Sequence, residues 1–181
     1  MRIDISVKGI EELERSLKPS VYQKASRRTV RRMGQRFKTA ASKEVRKQYT
    51  VPAKRLKSAI QTKYDSAKNQ YRFYVSGKSI NLIHFGARSL KRGGVSVRAI
   101  KKGGGRIKLR HAFIAPDSGG HLRVFSRKGK GAPRLPIKAH ATLSVPQMFN
   151  KDVIAVGMEA VKDNYDKEFI HNLEFYASRA K

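Results

Sequence analysis

Between Tyr22 and Val45, the residues Tyr22, Ala25, Thr29, Met33, Phe37, Ala41 and Val45 recur at three- and four-residue spacing. That is the repeat of one face of an α-helix. The stripe predicts a single amphipathic helix over 20–49, long enough that the rest of the chain must be organised to cover its apolar side. Its other faces carry Lys24, Arg27, Arg28, Arg31, Arg32, Arg36, Lys38, Lys43, Arg46 and Lys47, so one cylinder joins a core stripe to a broad basic surface.

Alternation dominates elsewhere. Ile3, Ile5 and Val7 predict a short strand ending near Gly9, and 11–17 predicts a short helix stopped near Pro19. Thr50 as a cap and Pro52 in a first turn predict a second short helix to about Ala59. Ile60, Thr62 and Tyr64, then Tyr71, Phe73 and Val75, predict a hairpin with a polar turn over 65–70. Three further runs follow: Val95, Val97 and Ala99; Ile107, Leu109, His111 and Phe113; and Leu122 and Val124. The last two are joined by a turn over 117–120. Residues 89–110 hold five glycines and eight basic residues, which predicts a mobile loop that orders on assembly. A second Gly/basic/Pro tract spans 127–136. After Pro146, the positions Phe149, Val153, Val156, Ala160, Asn164, Glu168 and Leu173 predict a C-terminal helix over 147–177, with Gly157 as its weak point.

The sum is an α+β fold: a long amphipathic N-terminal helix and a C-terminal helix packed on a mostly antiparallel β-sheet with long basic Gly-rich loops. At 181 residues the chain reads as a single domain, 1–181. Its sections are an N-terminal strand and short helix (1–19), basic helices (20–59), a sheet with basic loops (60–146) and a C-terminal helix (147–181).

Charge narrows the function. Lys and Arg number 41 against 13 Asp and Glu, a net +28, which implies a polyanion or acidic neighbours close by. From Arg15 to Lys151 there are 35 basic residues and three acidic ones, Glu44, Asp65 and Asp117, while the two ends together hold six basic and ten acidic. An acidic end set against the basic middle of another copy would let charge fix the register of an oligomer. With no cysteine, disulfides and thiolate-held metals are excluded. No window approaches about 18 uncharged apolar residues and no signal-peptide run opens the chain, so no membrane role is expected.

Catalytic chemistry is poorly supplied. His84, His111, His121, His140 and His171 show no metal-ligand spacing. His111, Asp117 and His121 flank one turn, but three carboxylates in the whole middle region do not make the Mg²⁺ cluster of a nuclease. Gly103, Gly104 and Gly105 before Arg106, and Gly129-Lys130-Gly131, lack the spacing of a phosphate loop. The expectation is therefore no catalytic, cofactor or metal site, and no enzyme. The basic helix is expected to meet phosphate backbones or acidic proteins without reading bases.

From Gly103 onward an ordered set of short elements appears: Gly103-Gly104-Gly105, Ala112-Phe113-Ile114, a Gly-Gly turn, Val124 with Arg127, Gly129-Lys130, Arg134-Leu135-Pro136-Ile137 and Ser144-Val145-Pro146. With the upstream segment from Ile80 through His84-Phe85-Gly86 to Arg88 and the long helix, this set resembles the minor tail protein Z family of long-tailed bacteriophages and prophages over about 20–149. The resemblance implies a non-enzymatic virion protein, made in the host cytoplasm, that completes the head-proximal end of the tail and helps form the head–tail junction. It implies a homo-oligomer, a hexameric ring by tail symmetry, with the tail terminator or tail tube and the head–tail connector as neighbours. Double-stranded DNA would pass through the lumen without sequence recognition. Lys91, Arg92, Arg98, Lys101, Lys102, Arg106, Lys108 and Arg110 are the residues expected to face DNA, and Arg27, Arg28, Arg31, Arg32 and Arg36 those expected to meet protein partners. The competing reading is a sequence-independent nucleic-acid-binding protein of ribosomal or nucleoid type, with the same composition.

Overall fold

The computed structural model describes residues 18–101, 103–127 and 135–180, together with the backbone of 2–5. In chain order the elements are β1 (Arg2–Ile5), α1 (Pro19–Gln48), α2 (Ala53–Ala59), β2 (Ile60–Asp65), β3 (Gln70–Val75), β4 (Ser79–Asn81), a 3-10 turn (Leu82–His84), β5 (Arg88–Ser89), β6 (Val95–Val97), β7 (Ile107–Leu109), β8 (Ala112–Pro116), β9 (Leu122–Arg127), β10 (Ile137–Ala139), β11 (Ala141–Ser144), α3 (Val145–Met148) and α4 (Lys151–Ser178). The fold is α+β, with four small antiparallel sheets among the described residues in place of one. The expected helix over 11–17, Lys102 and most of the 127–136 tract lie outside the described residues. The chain gathers into two compact units, which cut across the sections read from the sequence. One is Met1–Lys43, Ile60–Ser76 and Phe149–Lys181; the other is Glu44–Ala59 with Gly77–Met148.

In the first unit, α1 forms where the stripe predicts it. Ala25, Thr29, Met33, Phe37 and Ala41 are buried, as are Tyr71, Phe73 and Val75 from the alternating β3. Strands β1, β3 and β2 pair in that order, with Thr62 and Ile3 on either side of Phe73. Phe37 meets Phe73 edge-on at 5.2 Å, and Phe73 lies 5.7 Å from Phe149. Burial of each such ring is worth about 1.5–3 kcal/mol. Two helical glycines permit close approach: a Cβ on Gly34 would lie 2.6 Å from Tyr71 Cε1 and nearer still to Cγ and Cδ1 of that ring, and one on Gly157 would lie 2.6 Å from Phe37 Cε2.

The C-terminal helix departs from its predicted form in two ways. Asn150 interrupts it, its Oδ1 accepting from the Val153 amide at 2.9 Å as the N-cap of α4, so α3 is a separate turn. The buried face of α4 is Val153, Gly157, Val161, Glu168, Phe169 and Asn172, a phase that leaves Val156 and Ala160 half-buried. Gly157 is therefore a packing position, since the absence of a side chain is what admits Phe37.

In the second unit, Val45, Leu56, Ile80, Phe85, Val95, Val97, Val124 and Met148 supply the core. The expected mobile loop at 89–110 is instead the β5-β6-β7 sheet. Val95, Ser96 and Val97 are all buried, and Gly94, at φ +95°, turns the chain where a Cβ would strike the Leu109 carbonyl at 2.6 Å. The single run expected over 107–113 is two strands in two sheets: β7 pairs with β6, and β8 pairs with β9 after a turn at Arg110 and His111. The expected turn at 117–120 is present, closed by the Gly120 amide donating to the Asp117 carbonyl at 2.9 Å.

Candidate polyanion-binding surfaces

Four arginines on the polar side of α1 have partners within the first unit. Arg28 stacks over Phe175 at 4.8 Å and Arg31 over Tyr64 at 4.3 Å. Arg32 and Arg36 both reach Glu168, Arg32 through a short hydrogen bond and Arg36 at 3.6 Å. Burial pushes the Glu168 carboxyl up, but the Arg32 hydrogen bond and the charges of Arg32 and Arg36 prevail and hold it below the usual carboxylate value. Burial raises the Tyr64 hydroxyl, while the charges of Arg27 and Arg31 act in the opposite sense.

Arg31, Arg32 and Arg36 line a groove of about 530 Å³ with Gln35, Thr62, Tyr64, Tyr71 and Glu168. Gln35 donates to the Tyr71 hydroxyl at 2.7 Å, which fixes the groove floor. Of the five arginines expected to meet partners, three thus stand together, Arg28 lies over Phe175, and Arg27 is exposed on the same helix. The sequence reading missed Tyr64, Tyr71 and Glu168 as groove residues. The available signal was Glu168 itself, since a carboxylate on the apolar stripe of a helix requires a cationic partner.

In the second unit Lys91, Arg92, Arg98, Lys101, Arg106, Lys108 and Arg110 are all exposed, but three have structural work. Arg106 donates through Nη2 to the carbonyls of Gly86 at 2.8 Å and Ser96 at 2.9 Å, and through Nε to the Ser96 hydroxyl at 3.1 Å, clasping β6. Arg98 donates to the Lys101 carbonyl, and Lys101 to the Arg46 carbonyl, each at 2.8 Å. Lys91, Arg92, Lys108 and Arg110 form no ion pair among the described residues. The turn considered for acid–base chemistry is committed elsewhere. One Asp117 oxygen accepts from the Gly119 and His121 amides at 2.9 Å, and the other pairs with Arg123 at 2.6 Å. Arg55 lies 2.6 Å from His84 Nε2, and burial, then the charges of Arg55 and Arg123, hold the imidazole below its usual value. Among the described residues no helix is long and apolar enough to cross a membrane, and no group of three or more His, Asp or Glu converges on a metal site.

A family model described as prophage minor tail protein Z (GPZ) matches residues 7–179. The chain belongs to this family. As a minor tail protein it is a structural component of a bacteriophage tail, and the match takes in both units, including the acidic α4 beyond the segment on which the sequence resemblance rested. Comparison with curated proteins gives no match, and neither does comparison with solved structures.

Proposed function

We propose that this minor tail protein acts without catalysis as a ring of copies at the head-proximal end of the tail. There it completes the tail and helps form the head–tail junction through which DNA passes. The observation that carries the DNA part is the exposed set Lys91, Arg92, Lys108 and Arg110, which no described carboxylate neutralises. A ring about 30 Å thick encloses duplex bearing about 18 phosphate charges at about 1.7 Å per charge. One subunit already carries +28, so a few residues per copy suffice for the lumen, and the rest of the charge serves acidic protein neighbours or solvent.

The test is complementation of a phage lacking the gene, followed by negative-stain microscopy. Wild-type protein is expected to add density at the head-proximal tail end and restore head joining. Reversing charge at Lys91, Arg92, Lys108 and Arg110 together is expected to leave tails intact and to lower DNA positioning or ejection. Undiminished infectivity would remove these residues from the DNA path. No association with tails, together with saturable binding of bare DNA or RNA, would favour the nucleic-acid-binding reading instead.

A further inference from the structure

Four of the described acidic side chains are ion-paired within the chain's own surroundings: Glu44 with Lys47, Asp65 with Arg72, Asp117 with Arg123, and Glu168 with Arg32 and Arg36. On α4 the pattern changes. Asp152 sits in the first turn, where the helix dipole favours it. Glu159, Asp163, Asp166 and Glu174 are exposed and form no ion pair among the described residues, even though the chain has 41 basic residues to offer. At about 100° per residue these four fall within about 80° of arc. Ile170, 55% exposed, lies among them. Glu168 points almost the opposite way, into the arginine groove.

We propose that the α4 ridge of one copy docks in the arginine groove of a second copy, a head-to-tail contact repeated from subunit to subunit. Charges match in sign. In the groove three guanidinium groups face the single carboxylate of Glu168, an excess of two positive charges. On the ridge four carboxylates are flanked by Lys162 and Lys167, an excess of two negative charges. A groove of about 530 Å³ has room for the side chains of such a ridge. Because the ridge and the groove residue Glu168 lie on nearly opposite sides of α4, a single two-fold interface cannot hold both faces. The contact is heterologous, and such contacts close into rings when the rotation allows. The contact deepens the ring in the proposed function and rests on it.

The test is sedimentation of nuclease-treated full-length protein. At low salt the wild type is expected to assemble beyond a dimer and to fall apart in about 1 M salt, where the Debye length is about 3 Å. The ridge variant Asp163→Lys/Asp166→Lys and the groove variant Arg31→Glu are each expected to be monomeric. Both alter exposed side chains, and circular dichroism checks that they fold. Mixed in equal amounts, they are expected to stop at dimers, because each keeps one competent face. A wild type that stays monomeric, assembly that ignores salt, a ridge variant that assembles like wild type, or a mixture that stays monomeric overturns the contact. Wild-type rings that never restore tails would overturn the function and leave the contact standing. Ridge variants that restore tails fully would do the reverse.

Discussion

Gly34 lies in the interior of α1, where replacing glycine by alanine ordinarily stabilises a helix by about 1 kcal/mol. Here the sign is expected to reverse. The added Cβ would sit 2.6 Å from Tyr71 Cε1 and closer to Cγ and Cδ1, whereas carbon atoms rest at about 3.5–4.0 Å. The phenol must therefore move by about 1 Å. It is buried, at the second position of β3, and its hydroxyl accepts from Gln35 at 2.7 Å. Overpacking costs about 1–3 kcal/mol and the lost hydrogen bond about 1 kcal/mol. Set against the propensity gain, Gly34→Ala is expected to destabilise by about 1–3 kcal/mol, or about 2–12 °C in Tm for a chain of this size. The assay is urea and thermal unfolding followed by circular dichroism, in a double-mutant cycle with Tyr71→Ala. Once the ring is gone only the propensity remains, so in that background Gly34→Ala should stabilise by about 1 kcal/mol. A stabilising Gly34→Ala in the wild-type background would refute the close-approach argument.

Three further outcomes are expected. Glu168, held below its usual carboxylate value, contributes stability that is present at neutral pH and lost as pH falls through the lowered value. Glu168→Gln should cost about 1–2 kcal/mol at pH 7 and flatten the acid side of a Tm-against-pH curve; an unchanged acid branch would contradict the pairing. Arg106→Lys keeps the charge but loses the planar fork, so amide exchange at Val95–Val97 should speed up while the salt slope of DNA binding stays constant. Asn150→Ala should cost about 1 kcal/mol through loss of the α4 cap, seen as faster exchange confined to the first turn of α4.

The first helix and the 60–75 hairpin were legible because each repeats one period without interruption: Ala25 to Val45 at helical spacing, Ile60 to Val75 in alternation. The run from Ile107 to Phe113 was not, because the turn at Arg110 and His111 preserves the parity of the alternation, and nothing in the spacing marks a change of sheet. Residues 89–110 looked unable to pack because their arginines were counted as water-seeking. Arg106 shows the alternative, a guanidinium that satisfies the carbonyls of a buried strand. The phase of α4 was displaced because Gly157, with no side chain, adds no apolar signal at the position of closest packing. The charge was plain in the composition, but the carboxylates lacking a partner emerge only when each ion pair has coordinates.

The buried hydrogen bond from Asn172 to Thr29, 2.9 Å long, bears on which arrangement of α1 and α4 is the unique one. Two helices joined only by apolar stripes can exchange one set of contacts for a similar set by sliding about 5.4 Å, a single turn. With Thr29 accepting from Asn172 while donating to the Ala25 carbonyl, and Arg32 meeting Glu168 one turn along, such a slide would strand several polar groups in the dark interior at about 1–3 kcal/mol each. The polar pins thus act as a vernier: they add little to how strongly the helices adhere and a great deal to where they stop. The ring proposed above would need that discipline, since an error of one turn in each copy would accumulate until the last no longer met the first.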